Sequence, residues 1–327
     1  AVPANTEVHS MSKISIVIPC RNEVLNVEPI SEAVTKLLEN YTQYTYEILF
    51  IDNCSNDGTQ DRLRIIAKKD KRIKVILNGK NFPNTSALHA LYEASGDCVI
   101  MIPADFQVPV SLVGDMIDAW ENGAMVVAPI KQNSKSDKIR VLRKIYYWMS
   151  SKLSEQDTLP GFTGAAMYTR QFLDICKATG DPLISIQDMV IRYADPIVKL
   201  HYLEQPRRSG KSKSGAGYLI DTAINRFIGV SNVLPKYAVT TGLGMGLISL
   251  IIALYYLVRK LIDWYNFPVG IAPILIGMFL LGSIQLIFIG TLSAYILMIN
   301  ERQMKKPLVI ERERINFDTE DEKEENK

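Results

Sequence analysis

Cys98-Val99-Ile100-Met101-Ile102-Pro103-Ala104-Asp105-Phe106-Gln107 is the stretch on which the reading of this chain turns. Its apolar run from Cys98 to Ile102 reads as a buried strand. Ligands of open parallel sheets bind beyond the carboxyl ends of the strands, and here such an end delivers a carboxylate, Asp105, and an amide, Gln107. On an extended chain, residues two apart face the same way. Both oxygens could then serve one hard cation, and that cation a nucleotide diphosphate. The simpler alternative is a strand-to-loop turn in which Asp105 caps a neighbouring backbone amide.

Upstream the same grammar repeats. Lys13 to Pro19 reads as a buried strand, followed by Arg21-Asn22-Glu23 and a helix from about Val27 to Glu39. A second strand, Tyr46 to Ile51, ends in Asp52-Asn53-Cys54-Ser55-Asn56-Asp57-Gly58-Thr59, a polar turn that opens the next helix. A third, Ile73 to Leu77, leads through Asn81 to a helix ending near Gly96. This alternation is the pattern of a parallel α/β sheet, and it brings Glu23, Asp52 and Asp105 to one edge, where a nucleotide would lie. For Glu23 or Asp52 taken singly, helix capping or turn formation is the alternative. Neither G-x-G-x-x-G nor G-x-x-x-x-G-K-[ST] occurs, so a metal at Asp105 and basic side chains further on are the candidates for holding phosphate.

Downstream, a strand from Ala124 to Pro129 precedes a basic, aromatic amphipathic stretch, Lys138 to Leu153, suited either to its own sheet or to a membrane surface. A short strand, Ala165 to Thr169, and a helix from Arg170 follow, with Gln187-Asp188 in a helical context. Gln205-Pro206-Arg207-Arg208-Ser209-Gly210-Lys211-Ser212-Lys213 combines an arginine fork, mobile lysine charge and a glycine that lets backbone approach, which suits phosphate. A solvated basic loop or a juxtamembrane patch is the alternative. From Tyr218 to Leu234 apolar residues recur at helical spacing, as in an interfacial helix.

With 327 residues, 47% of them hydrophobic, and a net charge of +2, the chain is no polyanion binder by bulk charge, and no nucleic-acid partner is expected. Val239 to Val258 and Phe267 to Ile299 lack Asp, Glu, Lys and Arg, and each is long enough to cross a bilayer core of about 30 Å as a helix. The expectation is a transmembrane hairpin in a lipid bilayer, with the catalytic domain and both termini cytoplasmic because basic residues flank its ends. The domains expected are 11–216 (α/β), 217–236 (amphipathic interfacial helix), 237–299 (two spans) and 300–327 (C-terminal segment with an acidic tail). Residues 1–10 read as an appended remnant rather than a targeting signal. Cys20, Cys54, Cys98 and Cys176 show no metal spacing and are expected to be reduced.

Ser15-Ile16-Val17-Ile18-Pro19 with Asn22-Glu23, Ile51-Asp52 with Ser55 and Asp57-Gly58-Thr59, Ala94-Ser95-Gly96-Asp97, and Ala104-Asp105-Phe106-Gln107 together resemble the inverting family-2 glycosyltransferases of the GT-A fold. Within them the likeness is to the polyprenyl-phosphate, dolichol-phosphate mannosyltransferase-like group, and it covers nearly the whole chain from Met11. The resemblance implies a Rossmann-like, mostly parallel sheet domain, a UDP- or GDP-sugar donor and a polyprenyl phosphate acceptor. It implies a divalent metal (Mg2+ or Mn2+) at Asp105 and Gln107 and donor nucleotide contacts from Pro19, Asn22, Glu23 and Asp52. Phosphate contacts would come from Arg207, Ser212 and Lys213 through an R-x-x-G-x-S-K pattern. Asp105 would act in catalysis, with Asp188 as a candidate general base, and a homo-oligomer stays open. Two departures stand out: the usual Asp-x-Asp appears as Pro103-Ala104-Asp105, and the paired aspartates after the second strand as Asp52-Asn53. No Q-x-x-R-W occurs, against processive polysaccharide synthesis. The rivals are transfer to a lipid or glycan hydroxyl and an inactive nucleotide-sugar-binding scaffold.

Overall fold

The computed structural model describes residues 12–83, 85–132, 159–180, 185–208 and 307–317, with isolated positions between 251 and 299. Buried runs of Ile, Val and Leu form the strands: β1 (Lys13–Cys20), β2 (Thr45–Asp52), β3 (Ile73–Asn78), β4 (Cys98–Met101), β5 (Val126–Lys131), β6 (Ala166–Thr169), β7 (Ile197–Tyr202) and β8 (Glu311–Ile315). Between them lie α1 (Val27–Leu38), α2 (Thr59–Lys69), α3 (Ser86–Glu93), α4 (Leu112–Glu121), α5 (Arg170–Thr179) and α6 (Ile186–Tyr193). All the strands join one mixed sheet in the order β7-β5-β6-β4-β1-β2-β3-β8. The centre is parallel, β4-β1-β2-β3, and β5 pairs parallel with β7. β6 runs antiparallel to both β4 and β5, and β8 antiparallel to β3.

Alternation along β1 shows why both faces must be covered. Ile14, Ile16 and Ile18 pack on one side with α1, α2 and α4, through side chains such as Val34, Leu63 and Met116. Val17 points the other way, into a cluster with Leu91 of α3, Phe172 of α5 and Val190 of α6. These are apolar stripes of amphipathic helices closing over a sheet that is hydrophobic on both sides.

One polar knot interrupts this core. Glu47, only 2% exposed, enters β2 among apolar residues. It accepts from Lys13 Nζ at 2.7 Å, Lys74 Nζ at 3.0 Å, the Ser15 hydroxyl at 2.7 Å and the Ser95 N–H at 2.8 Å. One carboxylate thus ties β1, β2, β3 and the turn entering β4. The turn comes so close that a Cβ on Gly96 would lie 2.6 Å from Ser15 Oγ and 2.7 Å from the Lys13 carbonyl, so only glycine fits. Burial pushes the Glu47 carboxyl up, but these donors outweigh it and bring it down to about 2.

β8 was not signalled by the sequence, where Glu-Arg-Glu-Arg-Ile has too little apolar content to read as a strand. Its position explains this: it is an edge strand, and its charges pair with α2 and α3 instead of entering the core. All of these elements belong to one compact unit, and the isolated positions between 251 and 299, which are helical, belong to a second.

The expected membrane placement needs correction. Crossing a bilayer core takes an unbroken apolar helix of about 20 residues, and among the described residues no helix is long and apolar enough to do so. This overturns the two-span, integral-membrane assignment with both termini cytoplasmic, which rested on charge-free apolar runs and the basic residues flanking them. The amphipathic stretches 138–153 and 217–236, the N-terminal residues 1–10 and most of 237–299 lie outside the described residues.

The Glu47 knot carries a stability consequence with a definite sign. Its folded value of about 2 lies below the ordinary value of 4.5, so its contribution, about 3 kcal/mol, is complete above pH 4.5 and is lost as pH falls towards 2. Glu47→Gln is expected to lower stability near pH 7 by about that amount and to flatten the acid limb, as read from urea midpoints between pH 7 and pH 2.5.

Candidate functional site

Strand register sets the site. Cys20 lies level with Asp52 across β1 and β2, and Val17 with Met101 across β1 and β4, so the loops after all three strands open at one edge of the sheet. With the loop before α3 they enclose a cleft of about 300 Å³, lined among others by Pro19, Glu23, Asn53, Ser86, Asp105 and Arg207. This is where open α/β sheets bind their ligands.

Asp105 is 5% exposed, and both of its oxygens are engaged. The Gln107 N–H donates to Oδ1 at 3.1 Å, and an Arg207 terminal nitrogen donates to Oδ2 at 2.7 Å. The other terminal nitrogen of Arg207 lies 3.9 Å from Glu23 Oε1, so one guanidinium sits between carboxylates from two different loops. Backbone bonds from Gln205 N–H to the Gln107 carbonyl and from Arg208 N–H to the Asp105 carbonyl lay segment 205–208 beside this turn. The Arg208 guanidinium also stands 5.2 Å over the Phe106 ring.

The extended chain expected through Gln107 is not what forms. β4 ends at Met101, and Phe106 adopts a φ of 63°, so the backbone turns. Gln107 consequently serves Asp105 through its backbone and does not line the cleft.

Behind the cleft, the loops after β1 and β2 are laced together. The Asn22 N–H donates to Ser55 Oγ at 2.7 Å, and the Asn56 N–H returns a bond to Asn22 Oδ1 at 3.0 Å. The Glu23 N–H donates to Thr59 Oγ1 at 2.9 Å. Asp52 is fully buried, and its carboxylate accepts from the Ser55 N–H at 2.9 Å, the Ser55 hydroxyl and the Gln60 amide at 2.8 Å. Asp57 holds Thr59 in turn; burial raises its carboxyl, and the hydrogen bonds from Thr59 and from the Val24 N–H bring it below its ordinary value. Asn53 Oδ1 accepts the Phe82 N–H at 2.7 Å, which binds the far wall of the cleft to the β2 loop. Burial, then the fields of Asp52, Glu23 and Asp57, push the Cys20 thiol well up, so this cleft residue stays a protonated, neutral group.

Of the residues expected from the sequence, Pro19, Glu23, Asp105 and Arg207 line one cleft, and Asn22 and Asp52 stand in the loops behind it. Asp188 is 7% exposed and lies in the first turn of α6, where the Ser185 hydroxyl donates to its carboxylate at 2.6 Å and its own N–H donates to Ser185 Oγ at 3.3 Å, a capping arrangement. It does not line the cleft. Ser212 and Lys213 lie outside the described residues. Sequence reasoning passed over Ser55 and Gln60 as the anchors of Asp52, and Arg208 as the partner of Phe106. Ser55 lay within the quoted turn; the other two carried no local signal.

Among the described residues no group of three or more His, Cys, Asp or Glu is placed to hold a metal. Asp105 is the cleft carboxylate that would hold a divalent cation, with its remaining ligands supplied by phosphate and water. Such a cation and Arg207 would meet at the same carboxylate.

A mostly parallel sheet with a charged cleft at its carboxyl edge is the arrangement of an open α/β domain. Residues 15–176 match the Glycosyl transferase family 2 profile, and this domain belongs to that family. The chain is 29% identical over 300 residues to CsbB of Bacillus subtilis (strain 168), named as a glycosyltransferase, covering 90% of this chain and 89% of that one. It is 27% identical over 290 residues to the bactoprenol glucosyl transferase of Shigella phage SfV, covering 87% and 93%. Among solved structures, glucosyl-3-phosphoglycerate synthase from Mycobacterium tuberculosis, in complex with Mn2+, UDP and phosphoglyceric acid, is 17% identical with a TM-score of 0.44, covering 65% of this chain and 75% of that one.

Asp52 therefore has a structural load that can be measured apart from any ligand. Asp52→Ala leaves three half-buried donors without this acceptor, and a loss of about 1–3 kcal/mol is expected in urea unfolding of the nucleotide-free protein.

Proposed function

We propose that this chain transfers a hexosyl group from a UDP- or GDP-linked donor to polyprenyl phosphate, with inversion at the anomeric carbon. The observation that carries the reading is the meeting of Glu23, Asp105 and Arg207 in one cleft at the carboxyl ends of β1, β2 and β4, within a family-2 domain. The acceptor class is supported by the relatives named as bactoprenol glucosyl transferases, which the chain matches over most of its length.

The chemistry follows from charge. An oxygen of the acceptor phosphate forms a bond to the anomeric carbon as the bond from that carbon to the donor's β-phosphate oxygen breaks, and the leaving electron pair stays on the nucleotide diphosphate. A phosphate monoester has a second pKa of about 6, so the nucleophile is already an anion and requires positioning rather than deprotonation. Asp188 is accordingly given no step. Arg207 offers two terminal nitrogens in a planar fork, suited to the growing charge on the diphosphate, and Ser212 and Lys213 follow it in the same basic segment. A divalent cation, when bound at Asp105 with Gln107 nearby, would supply further positive charge to the same phosphates. Pro19 and Glu23 form the β1 wall against which the nucleotide lies, while Asn22 and Asp52 act through the loops they tie together behind it.

The Asp105–Arg207 pair gives this reading an internal order. The Arg207 guanidinium, 2.7 Å from Asp105 Oδ2, sets a positive charge directly against a nearly buried carboxylate. Donor phosphates would draw on the same guanidinium, and Asp105 is the carboxylate that would hold an accompanying divalent cation, which would add positive charge at the diphosphate.

Incubation with radiolabelled UDP- and GDP-sugars and polyprenyl phosphate in detergent, with and without manganese or magnesium, tests the proposal. A lipid-extractable sugar is expected from one donor, falling by at least about 100-fold in Asp105→Ala and in Arg207→Ala. Transfer only to a hydroxyl acceptor, or donor binding without transfer to any acceptor, would replace the polyprenyl phosphate reading.

A further inference from the structure

The cleft wall built by α3 and its preceding loop is held from behind by a distant part of the chain. The Gly79 N–H donates to the Ile310 carbonyl at 2.8 Å, and the Thr85 hydroxyl donates to the Leu308 carbonyl. His89 Nε2 lies 2.5 Å from Glu311 Oε1, and Arg314 reaches Glu93 at 2.7 Å. Thr85, His89 and Glu93 are four residues apart, so they share one side of α3 and its N-terminus, and that entire side is docked on β8 and its lead-in. Ala90 and Leu91 fill the core, while Ser86 and Ala87 line the cleft together with Pro83.

A second set of contacts fixes the same strand to the opposite neighbour. Glu313 is held by the Arg64 guanidinium of α2, with bonds of 2.7 and 3.1 Å to one oxygen, and the Asn316 amide donates to the Ala67 and Ile73 carbonyls at 2.7 Å. None of these residues lines the cleft. The strand therefore has one set of charged contacts that bears on the cleft wall and another that only anchors it.

We propose that segment 308–314 is a positioning strap for the donor cleft, and that Glu311, through His89 and Arg314, sets the α3 wall at the spacing the nucleotide diphosphate requires. The strap touches no substrate. It acts by holding Pro83, Ser86 and Ala87 in place, and this role rests on the cleft being the donor site.

The two anchor sets provide the test. Glu311→Ala removes the His89 contact and the carboxylate that holds Arg314, Glu313→Ala removes the Arg64 contact, and Glu311→Gln retains an acceptor for His89. Amide hydrogen exchange over residues 79–93 is measured on the full, nucleotide-free chain, and titration calorimetry with UDP and with GDP in manganese chloride measures affinity. Glu311→Ala is expected to speed exchange in 79–87 and to weaken the nucleotide that binds by about tenfold. Glu313→Ala should lower the unfolding midpoint with affinity within about twofold of the parent, and Glu311→Gln should recover most of the lost affinity. Equal affinity losses in the two alanine variants, or none in Glu311→Ala, would overturn the strap. If the parent binds neither nucleotide, the donor-site reading fails, and exchange alone then decides: acceleration confined to Glu311→Ala upholds the strap as the holder of this wall, and unchanged exchange overturns it.

Discussion

Glu47 is the constraint on which the rest of this sheet depends. A carboxylate buried at the lower end of β2 needs compensating charge, and it finds this in Lys13 of β1 and Lys74 of β3. Satisfying it fixes three parallel strands in one register, while Ser15 and Ser95 bring in the turn before β4. Parallel strands buried on both faces have little else to choose their alignment, because a slip exchanges one apolar residue for another. The polar knot supplies that choice. At the far end of the same strands, the register appears as Cys20 beside Asp52, and so as a set of loops that open level with one another.

Those loops divide structural from chemical work. Asp52, Ser55, Asp57, Thr59 and Gln60 expend their hydrogen bonds on each other and on the β1 loop, making a rigid floor. Asp105, Glu23 and Arg207 occupy the space above it, where charge is concentrated but not locked away. Arg207 comes from a segment laid along the 105–107 turn by two backbone hydrogen bonds, so the positive charge is delivered by main-chain pairing and not by a long side chain reaching across. With Pro103 where the family commonly carries a second acid, the cleft has two carboxylates, Glu23 and Asp105, and two arginines, Arg21 and Arg207, along its lining.

Much of this was legible in the sequence because it depends on local rules. Apolar runs bounded by polar turns marked β1 to β6 and the helices α1 to α3, though not α4, and the position of Glu23, Asp52 and Asp105 at strand ends followed from the parallel pattern. The remainder depends on partners far away along the chain. Nothing in Glu-Arg-Glu-Arg-Ile predicts a strand until Arg64, His89 and Glu93 are seen facing it. The left-handed Phe106 could not be foreseen, since no glycine or asparagine announces it. Asp52 was recognised as important, but its fully satisfied burial was not, because the acceptor's partners lie three and eight residues on in a turn whose shape they themselves create. Apolar composition over 239–299 suggested a membrane crossing, and composition alone does not establish a continuous helix.

The sheet's outermost strand also bears on how the protein is made. Arg64 and Glu313 are 249 residues apart, so the partner of β3 emerges from the ribosome long after β3 itself. Through that interval the nascent domain presents an open edge of Val75, Ile76 and Leu77, a template for pairing with other chains. The strand that finally covers it is densely charged and has little tendency to pair indiscriminately while it waits. Because the covering strand lies so near the C-terminal end of the domain, the β3 edge stays uncovered until synthesis has passed residue 315.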